Sequence, residues 1–351
     1  MIALKSLTYP ELVARIESLG LEPYRADQLV DWIYRKGVSS FAEMTNLPLD
    51  ARSRLGAALD LTPMTQAAHQ VSAADGTHKF LLRAHDGEAA ETVLMHMDGH
   101  DTVCVSSQVG CRFACKFCVT ARRGLARNLS ADEIVQQVLH ARAHARGTGL
   151  NIVFMGMGEP LDNYDAVVQS VRVLSSQELG AIGARRITVS TTGIPDRIRA
   201  LAAADLRVRL ALSLNASDDA SRKDLMPVSG RFPLAETLAA AAFFAERTRH
   251  HVTLEYVLLR GVNDRREDVE RLRALGPPGS PFKLNVIPWN PDARLRFERP
   301  EPAAVAAFAA ALHGAFRSVS VRWSKGVDID AACGQLFGKL QDHDAAGAAA
   351  G

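Results

Sequence analysis

The stretch Cys111-Arg-Phe-Ala-Cys115-Lys-Phe-Cys118 holds three of the five cysteines of this 351-residue chain. Thiolates are soft metal ligands, and the C-x3-C-x2-C spacing lets one short backbone segment wrap a single inorganic centre. The odd cysteine count and this clustering argue against a disulfide framework and favour a reducing compartment. The stretch therefore predicts a metal centre on residues 111–118, which we call the cysteine loop.

Two kinds of metal centre compete for this loop. A structural zinc ion takes four protein ligands, commonly from paired C-x2-C knuckles, and the chain has no second knuckle. An iron–sulfur cubane with three cysteine ligands leaves one iron open to a small ligand, whereas most electron-transfer clusters take four. The spacing favours a catalytic [4Fe–4S] cluster on Cys111, Cys115 and Cys118. Buried structural thiols, or a zinc site completed by a distant His, are the alternatives.

Composition sets broad bounds on the class of protein. The formal net charge is +2 and 47% of the residues are hydrophobic, which is ordinary for a globular enzyme. Near-neutrality neither demands nor excludes a nucleic-acid partner, because a local basic face can sit on a neutral protein. Residues 1–10 lack the basic start and apolar run of a signal peptide, and the apolar stretches are too short to span a bilayer. We therefore expect a cytoplasmic protein with no membrane partner.

The first third of the chain changes from helical to strand spacing. Apolar periodicity predicts helices over residues 9–19 and 25–36 and a third after Pro48, so residues 1–62 should form a small helical module. Its basic residues are read as a solvated face, with RNA contact only weakly signalled. Residues 63–100 should form an antiparallel β extension. Apolar runs between turn signals place strands at residues 79–83, 91–96 and 102–106.

Strands and helices then alternate to the end of the chain. Repeated β–α units imply a parallel sheet with right-handed crossovers, and six of them suit an open, partial (β/α)6 TIM-like barrel over residues 101–336. A strand at 318–323 would add to its edge, and the tail 337–351 is expected to be disordered. The remaining predicted strands are 151–155, 186–190, 207–214, 252–258 and 282–287. The predicted helices are 130–140, 165–174, 195–204, 233–247, 264–275 and 302–314.

Polar motifs follow several of the predicted strands. In barrels of this kind the chemistry sits on the loops after the carboxyl ends of the strands, and the cysteine loop directly follows the first strand. Each of the other motifs is also explicable as an ordinary turn, so the argument rests on their landing on one face. They are Gly156-Met-Gly-Glu-Pro160, Ser190-Thr-Thr-Gly193, Ser213-Leu-Asn215 and Asn290.

Taken together, these residues resemble the RlmN/Cfr family of radical S-adenosylmethionine (SAM) RNA methyltransferases, from Pro23-Tyr-Arg-Ala-Asp27 to Gly334-Gln-Leu336. The resemblance implies that the open iron chelates SAM and that the N-terminal module helps to hold RNA. Its most specific segments are Ser107-Gln-Val-Gly-Cys111, Gly156-Met-Gly-Glu-Pro-Leu161, Ile287-Pro-Trp-Asn-Pro291 and Asp328-Ile-Asp-Ala-Ala-Cys-Gly-Gln-Leu336. The SAM contacts it implies are Gly158, Glu159, Ser190, Ser213, Leu214, Asn215 and Asn290.

The resemblance also implies three catalytic residues. Carbon 2 of adenine is electron-poor and cannot attack the SAM methyl directly, so Cys333 first takes the methyl group, as a thiolate can. A radical derived from a second SAM then activates that methyl for addition to the base. Glu91 removes the ring proton, and Cys104 releases the product by forming a disulfide with Cys333, which should lie on a mobile loop at the barrel mouth. Without the resemblance, Glu91 is an exposed strand carboxylate and both cysteines are small buried apolar residues.

The expected substrates and partners follow from the same resemblance. Pro160 and Val109 match the branch that methylates carbon 2, where the carbon 8 branch usually carries Ala and Cys. We expect a monomer that acts on 23S rRNA and tRNA and takes electrons from an external donor such as flavodoxin. Basic side chains near the cysteine loop are candidates for RNA phosphates, which position RNA without reading its sequence. They are Arg112, Lys116, Arg122, Arg123 and Arg127.

Three other functions stay open at this point. Methylation of adenine carbon 8 in 23S rRNA would use the same catalytic cysteines. A radical SAM enzyme that acts on a peptide or a small metabolite would not need Cys104 and Cys333. A zinc-dependent RNA-binding protein would have no catalytic centre, and its purified form would be colourless where an iron–sulfur protein is brown.

Overall fold

The computed structural model describes residues 1–147, 149–276 and 279–337. The chain begins with the predicted helical module. Its first helix starts at a capping box in which Thr8 and Glu11 satisfy each other's free backbone donors. A parallel pair of two-residue strands, which the sequence did not predict, closes the module. The elements are β1 (Ile2–Ala3), α1 (Tyr9–Ser18), α2 (Arg25–Val30), α3 (Leu49–Ala58) and β2 (Leu59–Asp60).

The antiparallel extension follows as a chain of hairpins. Strand β3 (Thr65–Val71) was missing from the predicted strands because it alternates weakly and is mostly exposed. It pairs with β4 (His78–Arg83), which pairs with β5 (Ala89–Met97), which in turn pairs with β6 (His100–Cys104). Strand β6 also pairs in parallel with the next strand of the barrel, so it joins the extension to the barrel.

The predicted partial barrel is confirmed. Its six parallel strands are neighbours in one ten-stranded sheet, the predicted seventh strand adds to one edge, and the extension forms the other. The remaining elements are β7 (Gln108–Gly110), α4 (Thr120–Arg123), β8 (Leu125–Asn128), α5 (Ala131–Arg142), β9 (Leu150–Phe154), α6 (Tyr164–Ser175), β10 (Ile187–Thr191), α7 (Pro195–Ala203), β11 (Arg209–Ser213), α8 (Asp219–Leu225), α9 (Leu234–Thr248), β12 (Val252–Leu258), α10 (Arg266–Leu275), β13 (Phe282–Pro288), α11 (Pro302–Ala311) and β14 (Val319–Val321).

Alternate side chains of the barrel strands are fully buried, so one face of these strands is rich in apolar residues. In β12 the side chains of Val252, Leu254, Tyr256 and Leu258 all lie in the core. The same strand carries one buried acid, Glu255. The outer helices cover the sheet. The amino end of α5 carries a capping box, formed by Ser130 and by Glu133, the third residue of the helix.

Two parts of the barrel were not predicted. Helix α8 has no apolar stripe, and its clearest sequence signal is the capping side chain of Asp218, which accepts a hydrogen bond from the Ser221 N–H at 2.9 Å. The hairpin of β7 and β8 is too short for a periodic signal. The predicted disordered tail falls mostly beyond residue 337, outside the described residues. Within the described ranges, no helix has the length and apolar character needed to cross a membrane.

Candidate functional site

The carboxyl ends of the barrel strands surround one cavity, which we call the barrel cavity. The structure brings ten of the predicted residues to its wall. Leu214 is the exception among the predicted SAM contacts, because its side chain is buried in the core and its N–H donates to the Glu255 carbonyl oxygen at 2.9 Å. The ten residues are Cys111, Cys115, Cys118, Gly158, Glu159, Ser190, Ser213, Asn215, Asn290 and Cys333.

The cysteine loop leaves β7 and is fixed by backbone hydrogen bonds. The Cys111 N–H donates to the Gly124 carbonyl oxygen at 3.0 Å, and the Lys116 N–H donates to the Leu225 carbonyl oxygen at 2.9 Å. Between the first two cysteines, Ala114 has a φ of 55°, a left-handed conformation that is uncommon for a residue with a side chain. This turn folds the loop back on itself, so that all three thiols face the same cavity.

The donor set fits an iron–sulfur centre. Burial raises the pKa of Cys111 to about 12 and also raises the pKa values of Cys115 and Cys118, so these thiols become thiolates only beside a compensating cation such as a metal. Cys115 and Cys118 pack against an apolar cluster that includes Met226 and Trp289, which shields them from water. Among the described residues, no three or more His, Cys, Asp or Glu are arranged as a ligand set for a metal ion, the loop cysteines included, so the assignment rests on the spacing and chemistry of the three thiols.

Glu159 lies on the loop after β9, and both of its carboxylate oxygens are oriented by the backbone. Oε1 accepts from the Leu161 N–H at 3.1 Å, and Oε2 accepts from the Thr192 N–H at 2.8 Å. Burial raises the pKa of Glu159. Each oxygen has a further lone pair, so the carboxylate can still accept from an ammonium group in the cavity.

Gly158 cannot be replaced without strain. Its φ is +100°, and a Cβ built there would lie 2.5 Å from the Cβ of Gln108. The Gln108 Oε1 accepts from the Glu159 N–H at 2.8 Å, and its Nε2 donates to Asp162 at 2.7 Å. Strand β7, which carries Gln108, and the loop after β9 are therefore packed tightly together, which accounts for the glycine at this position.

The two asparagines of the predicted SAM set are engaged within the protein. The Asn215 Oδ1 accepts from the Val257 N–H at 2.9 Å, across the ends of β11 and β12. The Asn290 Nδ2 donates to the carbonyl oxygen of Cys333 at 3.1 Å, and its Oδ1 accepts from Arg299 at 2.9 Å. Asn290 thus holds the segment that carries Cys333 while it lines the cavity.

Cys333 lines two cavities. Besides the barrel cavity it borders a second, smaller one that it shares with Cys104, Met155 and Trp323, and we call this the thiol cavity. Burial raises the pKa of Cys104 to about 12. All five cysteines are free, so the Cys104–Cys333 disulfide is not present in this structure. The loop that carries Cys333 lies beside the cysteine loop, since the N–H of Val119, the residue after the cysteine loop, donates to the Gly334 carbonyl oxygen at 2.7 Å.

Glu91 is buried, so its interpretation as an exposed strand carboxylate is wrong. Its Oε2 accepts from the Phe337 N–H at 2.8 Å, and its Oε1 lies 3.9 Å from the Lys79 Nζ. On β5 it is two residues before Val93, the pairing partner of Cys104 on β6, so Glu91 and Cys104 belong to the same face of the sheet. The described linings of the two cavities do not include Glu91.

Two charged residues of the site were missed. The Arg322 Nη2 donates to the Cys333 sulfur at 3.3 Å, and this neighbour raises the pKa of Arg322. Glu255 lines the barrel cavity, its Oε2 has no partner among the described residues, and burial raises its pKa. The available signal was a charge inside a predicted strand, since buried charges are rare unless they have a role.

The five basic residues near the cysteine loop are all engaged within the chain, and their contact with RNA phosphates stays a prediction. Four form ion pairs, and Arg122 donates to the carbonyl oxygen of Arg294. RNA contacts at these positions would compete with those partners. The pairs are Arg112–Asp162, Lys116–Asp224, Arg123–Glu88, and Arg127 with both Asp86 and Glu133.

Comparison with known proteins agrees with this geometry. The family model of the Radical SAM superfamily matches residues 105–273, and that of the ribosomal RNA large subunit methyltransferase N-terminal domain matches residues 2–60. A crystal structure of a radical SAM methyltransferase from Sphaerobacter thermophilus has a TM-score of 0.91 and 42% identity, covering 97% of this chain and 100% of that one. The fold and the cysteine loop therefore define a radical SAM protein.

Similarity to curated proteins identifies the family within the radical SAM class. The probable dual-specificity RNA methyltransferase RlmN of Thermotoga sp. strain RQ2 is 42% identical over 333 residues, which cover 95% of this chain and 96% of the relative. The protein of the same name from Heliobacterium modesticaldum is 43% identical over 353 residues, with 98% and 91% covered. This chain belongs to the RlmN family of radical SAM RNA methyltransferases, which confirms the resemblance. Membership implies a [4Fe–4S] cluster and SAM as cofactors and RNA as substrate.

Proposed function

We propose that this enzyme methylates carbon 2 of adenine in 23S rRNA and in tRNA, with Cys333 as the carrier of the methyl group. The observation that carries the proposal is the position of Cys333, which lines the barrel cavity on one side and shares the thiol cavity with Cys104 on the other. The residue proposed as the methyl carrier thus borders both the cavity proposed for the cofactors and the cavity that contains the proposed resolving thiol.

The cofactors would occupy the barrel cavity. Cys111, Cys115 and Cys118 are the proposed ligands of one [4Fe–4S] cluster, one thiolate each. When bound, the cluster and SAM supply a methyl group and a 5′-deoxyadenosyl radical. Gly158 and Glu159 would bind the amino group of SAM through a charge-assisted hydrogen bond. The other proposed SAM contacts are Ser190, Ser213, Asn215 and Asn290, and Leu214 through its backbone alone.

Three side chains of the protein are proposed to carry out the remaining steps. Arg322 holds the Cys333 sulfur with a charged donor and so orients the atom that is proposed to accept the methyl group. Glu91 is proposed to remove the proton from the adenine ring. Cys104 is proposed to attack the Cys333 sulfur, so that the product leaves and a disulfide forms, which an external reductant must reopen. Burial keeps Cys104 protonated until that step.

The choice of carbon and of RNA rests on sequence similarity. Pro160 and Val109 match the carbon 2 branch of the family, and both relatives are described as dual-specificity RNA methyltransferases, which supports two kinds of RNA substrate. Action as a monomer and electron supply by a flavodoxin stay predictions.

The experiment is nucleoside mass spectrometry after anaerobic turnover of the reconstituted enzyme with 23S rRNA and tRNA transcripts. We expect 2-methyladenosine in both, and none with Cys333→Ala. Ser318→Ala, at an exposed position, serves as the control and should match the wild type. Formation of 8-methyladenosine would contradict the assignment to carbon 2, and normal turnover by Cys333→Ala would contradict the carrier role.

A further inference from the structure

Arg222 is a fully buried cation with no acidic partner at ion-pair distance among the described residues. It lies on α8 and has no solvent exposure. Its Nε donates to the Leu214 carbonyl oxygen at 3.2 Å, and its Nη2 donates to the Thr192 carbonyl oxygen, while its Nη1 has no hydrogen-bond partner among the described residues. Asp219, one turn earlier on α8, influences the pKa of Arg222, but no described ion pair joins the two.

A buried charge without a counter-charge is costly to fold. Burial lowers the pKa of Arg222 to about 10, so the guanidinium remains charged at neutral pH. The carbonyl oxygens around it satisfy part of its hydrogen bonding but carry only partial charge. Because breaking or omitting the partner of a buried ion is strongly destabilising, an anion from outside the chain is expected nearby.

The surroundings of Arg222 indicate which anion this is. Helix α8 ends at Leu225, whose carbonyl oxygen accepts from the Lys116 N–H of the cysteine loop at 2.9 Å. Leu225 and Met226 belong to the apolar cluster against which Cys115 packs. The charges of Arg222 and Cys115 also act on each other's pKa. Arg222 therefore lies behind the cysteine loop, and it is not among the described residues that line the barrel cavity.

We propose that Arg222 is the built-in counter-charge of the iron–sulfur cluster and raises its reduction potential. The proposal rests on the ligand set proposed above for Cys111, Cys115 and Cys118. A cluster with three thiolates carries net negative charge, and reduction adds one more negative charge. A fixed cation beside it stabilises the reduced state more than the oxidised state, so the electron is accepted more readily.

A second anion is the competing partner, because the carbonyl groups that Arg222 binds directly follow β10 and β11, where SAM is proposed to lie. The carboxylate of SAM would then be the partner. Such a contact would lower the affinity for SAM when Arg222 is removed and would leave the potential of the cluster unchanged. Measuring the reduction potential and the SAM affinity on the same variants therefore shows which of the two anions is the partner of Arg222.

The test uses the reconstituted holoenzyme of the wild type, Arg222→Gln, Arg222→Met and Arg222→Lys. Iron and sulfide content and visible absorbance are measured first, then the reduction potential by titration followed with electron paramagnetic resonance, and SAM affinity by equilibrium dialysis. We expect the neutral variants to hold a cluster whose reduced fraction at a fixed potential falls at least tenfold, a shift of about 59 mV for one electron. Arg222→Lys should stay near the wild type, and SAM affinity should change less than threefold.

Every other outcome also supports or overturns the proposal. Loss of the cluster in both neutral variants with its retention in Arg222→Lys supports the proposal, because only charge separates them. Loss in all three points to packing and overturns it. An unchanged potential in a fully loaded neutral variant overturns it too, as does a loss of SAM affinity alone. A wild type without iron–sulfur absorbance would instead refute the proposed cluster itself.

Discussion

The Arg322 guanidinium joins two sulfur atoms: its Nη2 donates to Cys333 Sγ at 3.3 Å, and its Nη1 donates to Met155 Sδ at 3.3 Å. Asn290 fixes the same loop from another side through the Cys333 carbonyl oxygen. Cys333 is thereby held between the barrel cavity and the thiol cavity by a charged donor to its sulfur and a neutral donor to its carbonyl oxygen. This geometry makes Arg322 the positioning residue for the proposed methyl carrier.

Arg322→Gln should slow the reaction of Cys333 with electrophiles. Losing a charge-assisted hydrogen bond costs about 1.5–3 kcal/mol, which corresponds to roughly a ten- to hundredfold lower rate. The measurement is the rate of Cys333 alkylation by iodoacetamide, followed by peptide mass spectrometry, together with the rate of its methylation by SAM. Arg317→Gln, at an exposed position just before β14, is the control. Equal rates in Arg322→Gln and the wild type would contradict the positioning role.

Glu91→Gln should separate methylation of the protein from methylation of RNA. The amide can still accept from the Phe337 N–H, so the fold is expected to persist, but it cannot take up a proton as a base. We expect methyl-Cys333 to form at the normal rate while methylated RNA falls by about 10²-fold or more. Glu88→Gln, on the same extension but partly exposed, should behave as the wild type. Product formation at the wild-type rate would rule out Glu91 as the base.

Cys104→Ala should trap the enzyme on its substrate. If Cys104 resolves the intermediate, its removal leaves RNA covalently attached to Cys333, and this adduct should appear as a slower band on a denaturing gel that ribonuclease treatment removes. The double variant Cys104→Ala/Cys333→Ala should form no adduct. Release of free methylated RNA with normal turnover by Cys104→Ala would refute the resolving role.

A histidine pair in the extension predicts a loss of stability in acid. The His69 Nε2 and the His78 Nδ1 are 2.9 Å apart, so only one of these nitrogens can carry a hydrogen. Burial and neighbouring histidines lower the pKa of both groups in the folded state. The neutral forms are therefore favoured by folding: the stability they contribute is present above the unfolded pKa of about 6.5 and is lost as the pH falls through the folded values.

The measurement is the melting temperature at pH 7.5 and pH 5.5. We expect the melting temperature of the wild type to be lower at pH 5.5 than at pH 7.5. This decrease should be smaller in His78→Gln, since the variant has no histidine pair to protonate. His313→Gln removes an exposed histidine, and its melting temperature should decrease as much as that of the wild type. An identical pH dependence in all three proteins would show that the pair does not govern acid stability.

The sequence predicted the parts of this site that depend on local pattern. The pattern of apolar strands predicted the barrel, because β–α repetition leaves few topologies. It also placed the cysteine loop directly after β6, whereas the short strand β7 lies between them in the structure. Arg322 and Glu255 were missed because their roles arise only where β12, β13 and β14 end side by side.

The pairing of the basic residues was also beyond the sequence. Arg112 meets Asp162 and Lys116 meets Asp224, partners that lie far apart along the chain and come together only in the folded barrel. Leu214 shows another limit, since the motif position does not reveal that its side chain is buried in the core and that only its backbone is left for the predicted contact. Long-range contacts, rather than element boundaries, are what periodicity cannot supply.

The central claim is that the Cys333 sulfur carries the methyl group before it reaches the base. The most direct test is peptide mass spectrometry of the reconstituted wild-type enzyme after anaerobic incubation with SAM whose methyl group is isotopically labelled. The account predicts one labelled methyl group on the peptide that contains Cys333, which then moves to adenine when RNA is added. Labelled product RNA from an enzyme whose Cys333 never carries the label would contradict it.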